Sequence, residues 1–214
     1  MSEYPINQIF LSGVDMKMFI FFVLFSTNLC ASEFELFCNH PDSDIAYTAH
    51  QIAKSLAVAK CSKVEPQDIL SLNLEGADIV NLMPLKLFTN LLILNLSFNS
   101  IKDLTPLEEL QQLTNLNLAE NMDLENLAPL ASLIKLNILN LNDNNISDLN
   151  PLKDMIKLVY LSFLRNQVED ISPLKNLFAL KTFLPFSNPI IFNQQHCPTG
   201  IDIAPIIDRF CRQL

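Results

Sequence analysis

The chain has 214 residues, half of them hydrophobic, with three glycines, no tryptophan and a formal net charge of −9 at pH 7. This length fits a single domain. The acidic charge argues against a nucleic-acid partner, because phosphate binding needs a basic patch, and so few glycines leave no glycine-rich phosphate-binding loop.

Residues 1–31 are predicted to be an upstream segment and a signal peptide. An unbroken apolar run over residues 18–25 follows Lys17. The run is shorter than the about 20 residues that span a bilayer, and it is typical of the core of a secretory signal. We expect cleavage after Ala31, export to the periplasm, cell envelope or medium, and membrane contact only through this signal.

Two features of this segment leave alternatives open. The residues before Lys17 include Glu3 and Asp15 and no base, which is unusual for a signal peptide, so translation could start at Met1, Met16 or Met18. Cys30 raises the alternative of a lipid anchor, although the residues that precede it are not the small ones expected before a lipidated cysteine.

Residues 32–68 are predicted to form a helical N-terminal cap. Between residues 43 and 61 the apolar side chains recur on one helical face, which comprises Ile45, Ala49, Ile52, Leu56 and Ala59. Ser43 or Asp44 could cap the start of this helix, and Cys61 marks its end. The alternative is an amphipathic helix that binds a partner.

Residues 69–190 contain about six copies of one short sequence. Clear copies begin at Leu94, Leu116, Leu139 and Leu161 and read LNLSFN, LNLAEN, LNLNDN and LSFLRN. Weaker copies begin at Leu72 and Phe183. The clear copies are 22, 23 and 22 residues apart, and a fixed period of this size is typical of a solenoid, in which stacked repeats bury a common core.

The second half of each repeat is also regular. It carries a proline at positions 106, 129, 151 and 173, which favours short 3₁₀ turns over long helices. The aspartates at positions 103, 148 and 170 recur with the repeat, so we do not interpret them as an acid–base pair.

The full pattern, LxxLxLxxNxIxDLxPLxxL, resembles the 22-residue leucine-rich repeat of bacterial internalins and of phosphatase-regulating repeat proteins. The resemblance implies an α/β solenoid that winds as a right-handed superhelix, with short parallel strands on the concave face and 3₁₀ or turn segments on the convex face. It also implies that the asparagines that recur once in each repeat point inward and form a ladder of hydrogen bonds to the backbone. These are Asn99, Asn121, Asn144, Asn166 and Asn188.

Alternation along the strands predicts three outward columns on the concave face. The first contains Ser71, Ile93, Asn115, Ile138, Tyr160 and Thr182; the second contains Asn73, Asn95, Asn117, Asn140, Ser162 and Leu184; the third contains Glu75, Ser97, Ala119, Asn142, Leu164 and Phe186. The binding candidates among and beside them are Ile93, Asn95, Asn117, Ile138, Asn140, Tyr160, Leu164, Arg165 and Phe186. The asparagines of the second column could instead be typical of this class of repeat and have no binding role.

Tyr160, Leu164, Leu184 and Phe186 gather bulky apolar groups on neighbouring strands, with Arg165 beside them. Exposed apolar groups with aromatic and arginine members are enriched at interfaces. The alternative is that residues 191–214, the predicted C-terminal cap with a short helical run at residues 206–211, fold back over this cluster. The exposure of Tyr160 and Phe186 distinguishes the two.

If cleavage follows Ala31, four of the five cysteines remain, and in an exported chain an even number suggests disulfides. Cys38 and Cys61 precede the repeats, and Cys197 and Cys211 follow them. The simplest of the three possible connectivities pairs Cys38 with Cys61 and Cys197 with Cys211. His196 lies beside Cys197 without a second zinc-ligand pair, so we expect no metal and no other cofactor.

No catalytic motif accompanies the repeats, and we expect a monomeric binding protein and not an enzyme. The resemblance to internalins implies recognition of a protein partner through the concave face. One alternative is a structural scaffold of the periplasm or envelope without a dedicated ligand. Another is an intracellular regulatory scaffold, which reduced cysteines and an uncleaved N-terminus would support.

Overall fold

The computed structural model describes residues 33–191, 193, 195–200 and 202–212. The predicted signal peptide, its cleavage after Ala31, the alternative starts at Met16 and Met18, and Cys30 all lie outside the described residues.

Among the described residues, six parallel strands form one open sheet whose order follows the sequence. Each strand contains three residues, and its inward residue aligns with that of the next strand, as Leu94 does with Leu116 and Leu161 with Phe183. The strands are β1 (Ser71–Asn73), β2 (Ile93–Asn95), β3 (Asn115–Asn117), β4 (Ile138–Asn140), β5 (Tyr160–Ser162) and β6 (Thr182–Leu184). The predicted leucine-rich-repeat solenoid is therefore confirmed.

Short 3₁₀ turns run along the wall opposite the sheet. They span Met83–Leu87, Thr105–Glu109, Ala128–Ser132, Asn150–Leu152 and Ser172–Asn176. Each has its proline in the first turn, where the missing N–H costs no hydrogen bond. Leucines from both walls fill one continuous core, so neighbouring repeats and not single turns supply the buried apolar contacts that hold the solenoid.

The chain leaves each strand through a residue in the left-handed region. Gly76 has this conformation after β1 with φ of +58°, and glycine adopts it without steric cost. Later repeats place larger side chains there, with φ between +52° and +59°: Phe98, Glu120, Asp143, Arg165 and Ser187. Side chains at this position project from the rim of the sheet, which the simple alternation rule does not anticipate.

Two helices and a disulfide cap the N-terminal end. Helix α1 (Glu33–Cys38) was not predicted; its Phe34 is buried, and the Phe34 and Phe88 rings meet edge to face with centroids 5.6 Å apart. Helix α2 (Ser43–Ser55) places Ile45, Ala49 and Ile52 in the core, as the periodicity predicted.

The predicted ends of helix α2 are wrong at both termini. Its N-cap is Asp42, whose carboxylate accepts hydrogen bonds from the N–H groups of Asp44 and Ile45. The helix stops at Ser55 because Ala57 turns left-handed, and Val58 N–H donates to Ala53 C=O at 3.0 Å. This 6→1 bond closes a helix C-terminus, so Ala59 lies outside the helix and is exposed.

Helix α3 (Pro205–Arg212) caps the C-terminal end. Its Phe210 ring packs edge to face on Phe183 of β6 at a centroid distance of 5.3 Å. Ala204 N–H donates to Lys175 C=O at 2.6 Å, which ties the helix to the last 3₁₀ turn. None of the helices in the described part of the chain is long and apolar enough to cross a bilayer.

Each cap is closed by one disulfide. Cys38 is bonded to Cys61, and Cys197 to Cys211. This is the connectivity that the sequence favoured as the simplest. Both bonds lie outside the repeats, so they fix the ends of the solenoid and leave its sheet face unconstrained.

Candidate binding face

Buried asparagines link each repeat to the one before it. Asn99 Oδ1 accepts from Ile79 N–H at 2.8 Å, and its Nδ2 donates to Leu74 and Leu96 C=O at 2.9 Å each. Asn121, Asn166 and Asn188 make the equivalent bonds in their own repeats. These side chains point away from the concave face and have a structural role in positioning it.

The third repeat, from Leu116 to Leu139, is 23 residues long, one more than its neighbours, and this extra residue changes one rung of the ladder. Asn144 Oδ1 accepts from the N–H of Asn121, the ladder asparagine of the preceding repeat, at 3.0 Å. The other ladder asparagines accept from the N–H two residues after the ladder position of the preceding repeat. Asn144 Nδ2 donates to Leu118, Leu141 and Asn142 C=O. The insertion is therefore absorbed by the ladder, and the strands on either side stay in register.

The first concave column places apolar side chains on the exposed face of the sheet. Ile93 and Ile138 are exposed, and Tyr160 is half-buried on the neighbouring strand to Ile138. Asn115 separates Ile93 from Ile138 in this column, so the apolar groups fall into an N-terminal and a C-terminal set.

The second column holds its asparagines in fixed orientations. The Oδ1 atoms of Asn95, Asn117 and Asn140 accept from the N–H two residues further on, at 3.1–3.2 Å. Asn95 Nδ2 also donates to Glu75. The Nδ2 groups of Asn117 and Asn140 have no hydrogen-bond partner among the described residues. Because their oxygens are engaged, these two amides are oriented donors at the centre of the face.

Three residues predicted to face outward are buried: Ser97, Ala119 and Ser162. The strand ends after three residues and the chain then turns towards the asparagine ladder, so alternation stops before Ser97 and Ala119. Ser162 replaces an asparagine, and it is buried because its hydroxyl donates to Asn142 Oδ1 at 2.6 Å. Asn142 Oδ1 also accepts from Leu164 N–H, which substitutes for the missing asparagine of that repeat.

The C-terminal cap does not cover the whole apolar cluster at its end of the face. Phe186 is 58% exposed, while Tyr160, Leu164 and Leu184 are half-buried. The cap packs on Phe183, which points into the core beneath them. Burial of both Tyr160 and Phe186 under the cap would have ruled out this cluster as a binding surface. Phe186 is exposed and Tyr160 is only half-buried, so the cluster remains a candidate.

Arg165 lies on the rim beside this cluster and is paired with Asp143. The guanidinium donates from two nitrogens to the two oxygens of the Asp143 carboxylate. These charge-assisted hydrogen bonds raise the pKa of Arg165 above its usual value. The two charges of this pair compensate each other beside the apolar cluster.

Phe98 is an exposed aromatic residue that reading the three columns missed. It is 56% exposed and occupies the left-handed position after β2, in the same repeat unit as Ile93 but beyond the opposite end of the strand. Its equivalence to Gly76 is the signal that could have identified it, since a glycine in one repeat indicates a left-handed position in all.

One group of potential metal ligands occurs among the described residues. Atoms of Cys38, His50 and Cys61 lie within 4.8 Å of one another. Both sulfurs are engaged in the disulfide, and a metal needs free thiolates. In the oxidised protein this group therefore lacks the free thiolates that a metal site would need.

Comparison with solved structures identifies internalin C2 from Listeria monocytogenes, which is 38% identical over 55% of this chain and has a TM-score of 0.53. This chain spans about half of the internalin C2 chain, 52% of its length. The functional domain of InlJ from Listeria monocytogenes, which includes a cysteine ladder, is 23% identical over 72% of this chain and 34% of its own, with a TM-score of 0.61. That second likeness shows the fold alone.

No model of a protein family matches the sequence, and no curated protein matches it. The repeat, the sheet and the likeness to internalin C2 define the class. The protein is a leucine-rich-repeat protein of the 22-residue, internalin-like type.

Proposed function

We propose that this protein is exported and binds a protein partner through the concave face of its sheet, without catalysing a reaction. The observation that carries the proposal is the apolar cluster of Tyr160, Leu164, Leu184 and Phe186, whose outermost ring stays 58% exposed beside the C-terminal cap. Exposed aromatic groups on a rigid surface are the usual anchors of protein interfaces.

The centre of the face adds directional contacts. Asn117 and Asn140 present oriented amide donors between the two apolar sets, and their orientation costs no further ordering when a partner binds. A partner with apolar side chains at both ends and carbonyl acceptors between them would match this arrangement. A protein segment has both kinds of group.

Export is supported by the two disulfides, which persist in oxidising compartments and are rare where thiols are kept reduced. They favour export over the intracellular scaffold. The apolar run over residues 18–25 supplies the means of export, and sequencing the N-terminus of the mature protein tests it. A mature protein that retains residues 1–15 would contradict export by this signal.

Affinity capture with matched variants tests the binding face. Partner proteins retained by the wild type are identified, purified and measured against Phe186→Ser and Tyr160→Ala. Loss of an aromatic anchor typically weakens binding by about 30-fold or more. Phe178→Ser is the matched control, because Phe178 is 56% exposed but lies before β6 and away from the concave face.

Equal loss of binding in the Phe178 and Phe186 variants would show that general surface hydrophobicity explains the capture. Unchanged affinity in both concave variants would contradict the proposed face. Circular dichroism and urea unfolding confirm that each variant is folded, which is expected because Phe178 and Phe186 are exposed and Tyr160 is only half-buried.

A further inference from the structure

A second exposed apolar column lies on the edge of the solenoid where the chain approaches each strand. Ile134, Ile156 and Phe178 are 53%, 62% and 56% exposed, and they occupy equivalent positions in three successive repeats. The turns are stacked, because Val159 N–H donates to Asn137 C=O and Lys181 N–H to Val159 C=O, each at 2.8 Å. Adjacent turns are therefore about 5 Å apart, and the three side chains form one ridge.

The fold does not require apolar residues at this position. Thr89 and Gln111 occupy it in the first two repeats. One hydrogen bond of the turn is shared: Leu113 N–H donates to Leu110 C=O at 3.0 Å, as Leu136 N–H donates to Leu133 C=O at 3.1 Å. The position therefore tolerates polar residues, and the apolar residues of the third to fifth repeats add exposed apolar surface that the repeat pattern does not require.

Lysines surround the ridge. Segments 131–137, 153–159 and 175–181 contain five lysines and one carboxylate, that of Asp154, whereas the equivalent segment 108–114 has two glutamates and no base. The five are Lys135, Lys153, Lys157, Lys175 and Lys181, and all are exposed. None forms an ion pair with a described residue. We call these lysines, together with Ile134, Ile156 and Phe178, the basic flank.

The basic flank stands out in a chain with a net charge of −9. Many carboxylates lie on the opposite edge, after the strands, and they include Asp103, Asp123, Glu125, Asp148 and Glu169. The sheet and core separate the two edges. Charges more than about 8 Å apart are largely screened at physiological salt, so the nearest charges set the field at the basic flank. Across the segments 108–114, 131–137, 153–159 and 175–181, five lysines exceed three carboxylates, those of Glu108, Glu109 and Asp154.

We propose that the basic flank docks the protein on the surface of an anionic lipid bilayer. The ridge would place three apolar tips at the level of the headgroups, and the lysine ammonium groups would contact lipid phosphates. Apolar side chains flanked by lysines are the combination that interfacial membrane binding requires. A protein partner fits less well, because lysine is depleted at protein interfaces. This inference is independent of the concave binding face.

Vesicle flotation with the full chain tests the proposal. Vesicles of phosphatidylcholine alone are compared with vesicles that also contain phosphatidylglycerol as a third of the lipid. We expect binding to the anionic vesicles only. Replacing Lys153, Lys157 and Lys175 by glutamine should each weaken it by about fivefold, and raising the salt concentration should weaken it further.

The apolar ridge is tested by the triple variant Ile134→Gln/Ile156→Gln/Phe178→Gln, which installs the residue that the second repeat already carries as Gln111. Binding should fall by more than tenfold, while circular dichroism and urea unfolding stay close to wild type. Phe98→Gln is the matched control, because Phe98 is equally exposed on the concave rim, and it should bind vesicles normally. Every variant keeps residues 1–32, whose contribution to vesicle binding is therefore the same in all of them. A difference in binding between variants is then due to the substituted residues.

Three results would overturn the proposal. Equal binding to both kinds of vesicle would remove the role of charge. Unchanged binding of the triple variant would remove the role of the ridge. Concentration-dependent sedimentation that the triple variant abolishes, without vesicle binding by the wild type, would assign the flank to contacts between copies of the chain.

Discussion

Asn144 shows how much one side chain can contribute in a solenoid. Its amide makes four hydrogen bonds, one to Asn121 N–H in the preceding repeat and three to carbonyls of Leu118, Leu141 and Asn142. Asn144→Leu leaves these buried groups unpaired, at about 1–3 kcal/mol for each. We expect a loss of about 3 kcal/mol or more in the free energy of unfolding, measured by urea denaturation.

Asn145→Leu is the control for that substitution. Asn145 is exposed and its side chain donates only to Glu125, so its replacement should change stability by about 0.5 kcal/mol or less. Hydrogen exchange adds a second readout. Asn144→Leu should lower amide protection in both the third and fourth repeats, and loss confined to the fourth repeat would contradict the role of Asn144 as a link between them.

At the residue scale, the pattern predicted the inward leucines and failed just beyond the strands. Alternation holds for Leu94 and Leu96, which are two residues apart and both point into the core. It fails at Ser97 and Ala119 because the chain has left the strand, where the left-handed residue that follows sets the direction. The burial of Ser162 depends on Asn142, which is 20 residues away, and no local pattern reports such a partner.

The C-terminal cap contains a carboxylate, that of Asp208, whose hydrogen bonds make a pH-dependent contribution to stability expected. Asp208 accepts a hydrogen bond from Gly200 N–H at 2.8 Å and forms an ion pair with Arg212. The Gly200 bond first, and then Arg212, lower the pKa of Asp208 below its usual 3.8. Because the folded state holds this carboxylate ionised, its stabilising effect is fully present above the unfolded pKa of 3.8 and is lost as the pH falls through the lower pKa of the folded state.

Asp208→Asn should therefore lower the urea midpoint at pH 7, and the difference from wild type should shrink in strongly acidic solution. A protonated aspartic acid and an asparagine then make similar neutral hydrogen bonds. The exposed Asp202, which has no hydrogen-bond partner among the described residues, supplies the control Asp202→Asn, which should leave the pH 7 midpoint unchanged. A difference for Asp208→Asn that is equal at both pH values would refute the electrostatic cause.

At the scale of elements, the repeats were more predictable than the caps. Six copies of one sequence reinforce one another, so the strands and 3₁₀ turns follow from the period. The caps occur once each and have no such reinforcement. Helix α1 has only six residues, too few for a periodic signal, and the N-cap at Asp42 depends on a hydrogen bond that Ser43 or Asp44 could equally have made.

The same contrast applies to the candidate binding face. The sequence located Tyr160, Leu164 and Phe186 on neighbouring repeats, but their exposure depends on where helix α3 packs. Phe210 reaches Phe183 and leaves Phe186 open to solvent. The basic flank was also missed, because its apolar residues occupy turn positions where the repeat pattern places no constraint.

The whole molecule is a stack in which each repeat contacts its neighbours, so its ends decide where unfolding begins. The Cys197–Cys211 bond spans 14 residues and the Cys38–Cys61 bond spans 23. Loops of these lengths contribute about 3 and about 3.5 kcal/mol by the chain-entropy argument. Replacing either pair by serine should therefore lower global stability by similar amounts.

The location of the effect should differ between the two pairs. With Cys197→Ser/Cys211→Ser, helix α3 loosens from Phe183, and hydrogen exchange should accelerate first in β6 and β5. With Cys38→Ser/Cys61→Ser, Phe34 loses its support on Phe88, and β1 and β2 should exchange first. The repeats between them are held by the leucine core and the asparagine ladder and should respond last. Uniform acceleration across all six strands would instead show that the stack unfolds as one cooperative unit, with its ends no weaker than its centre.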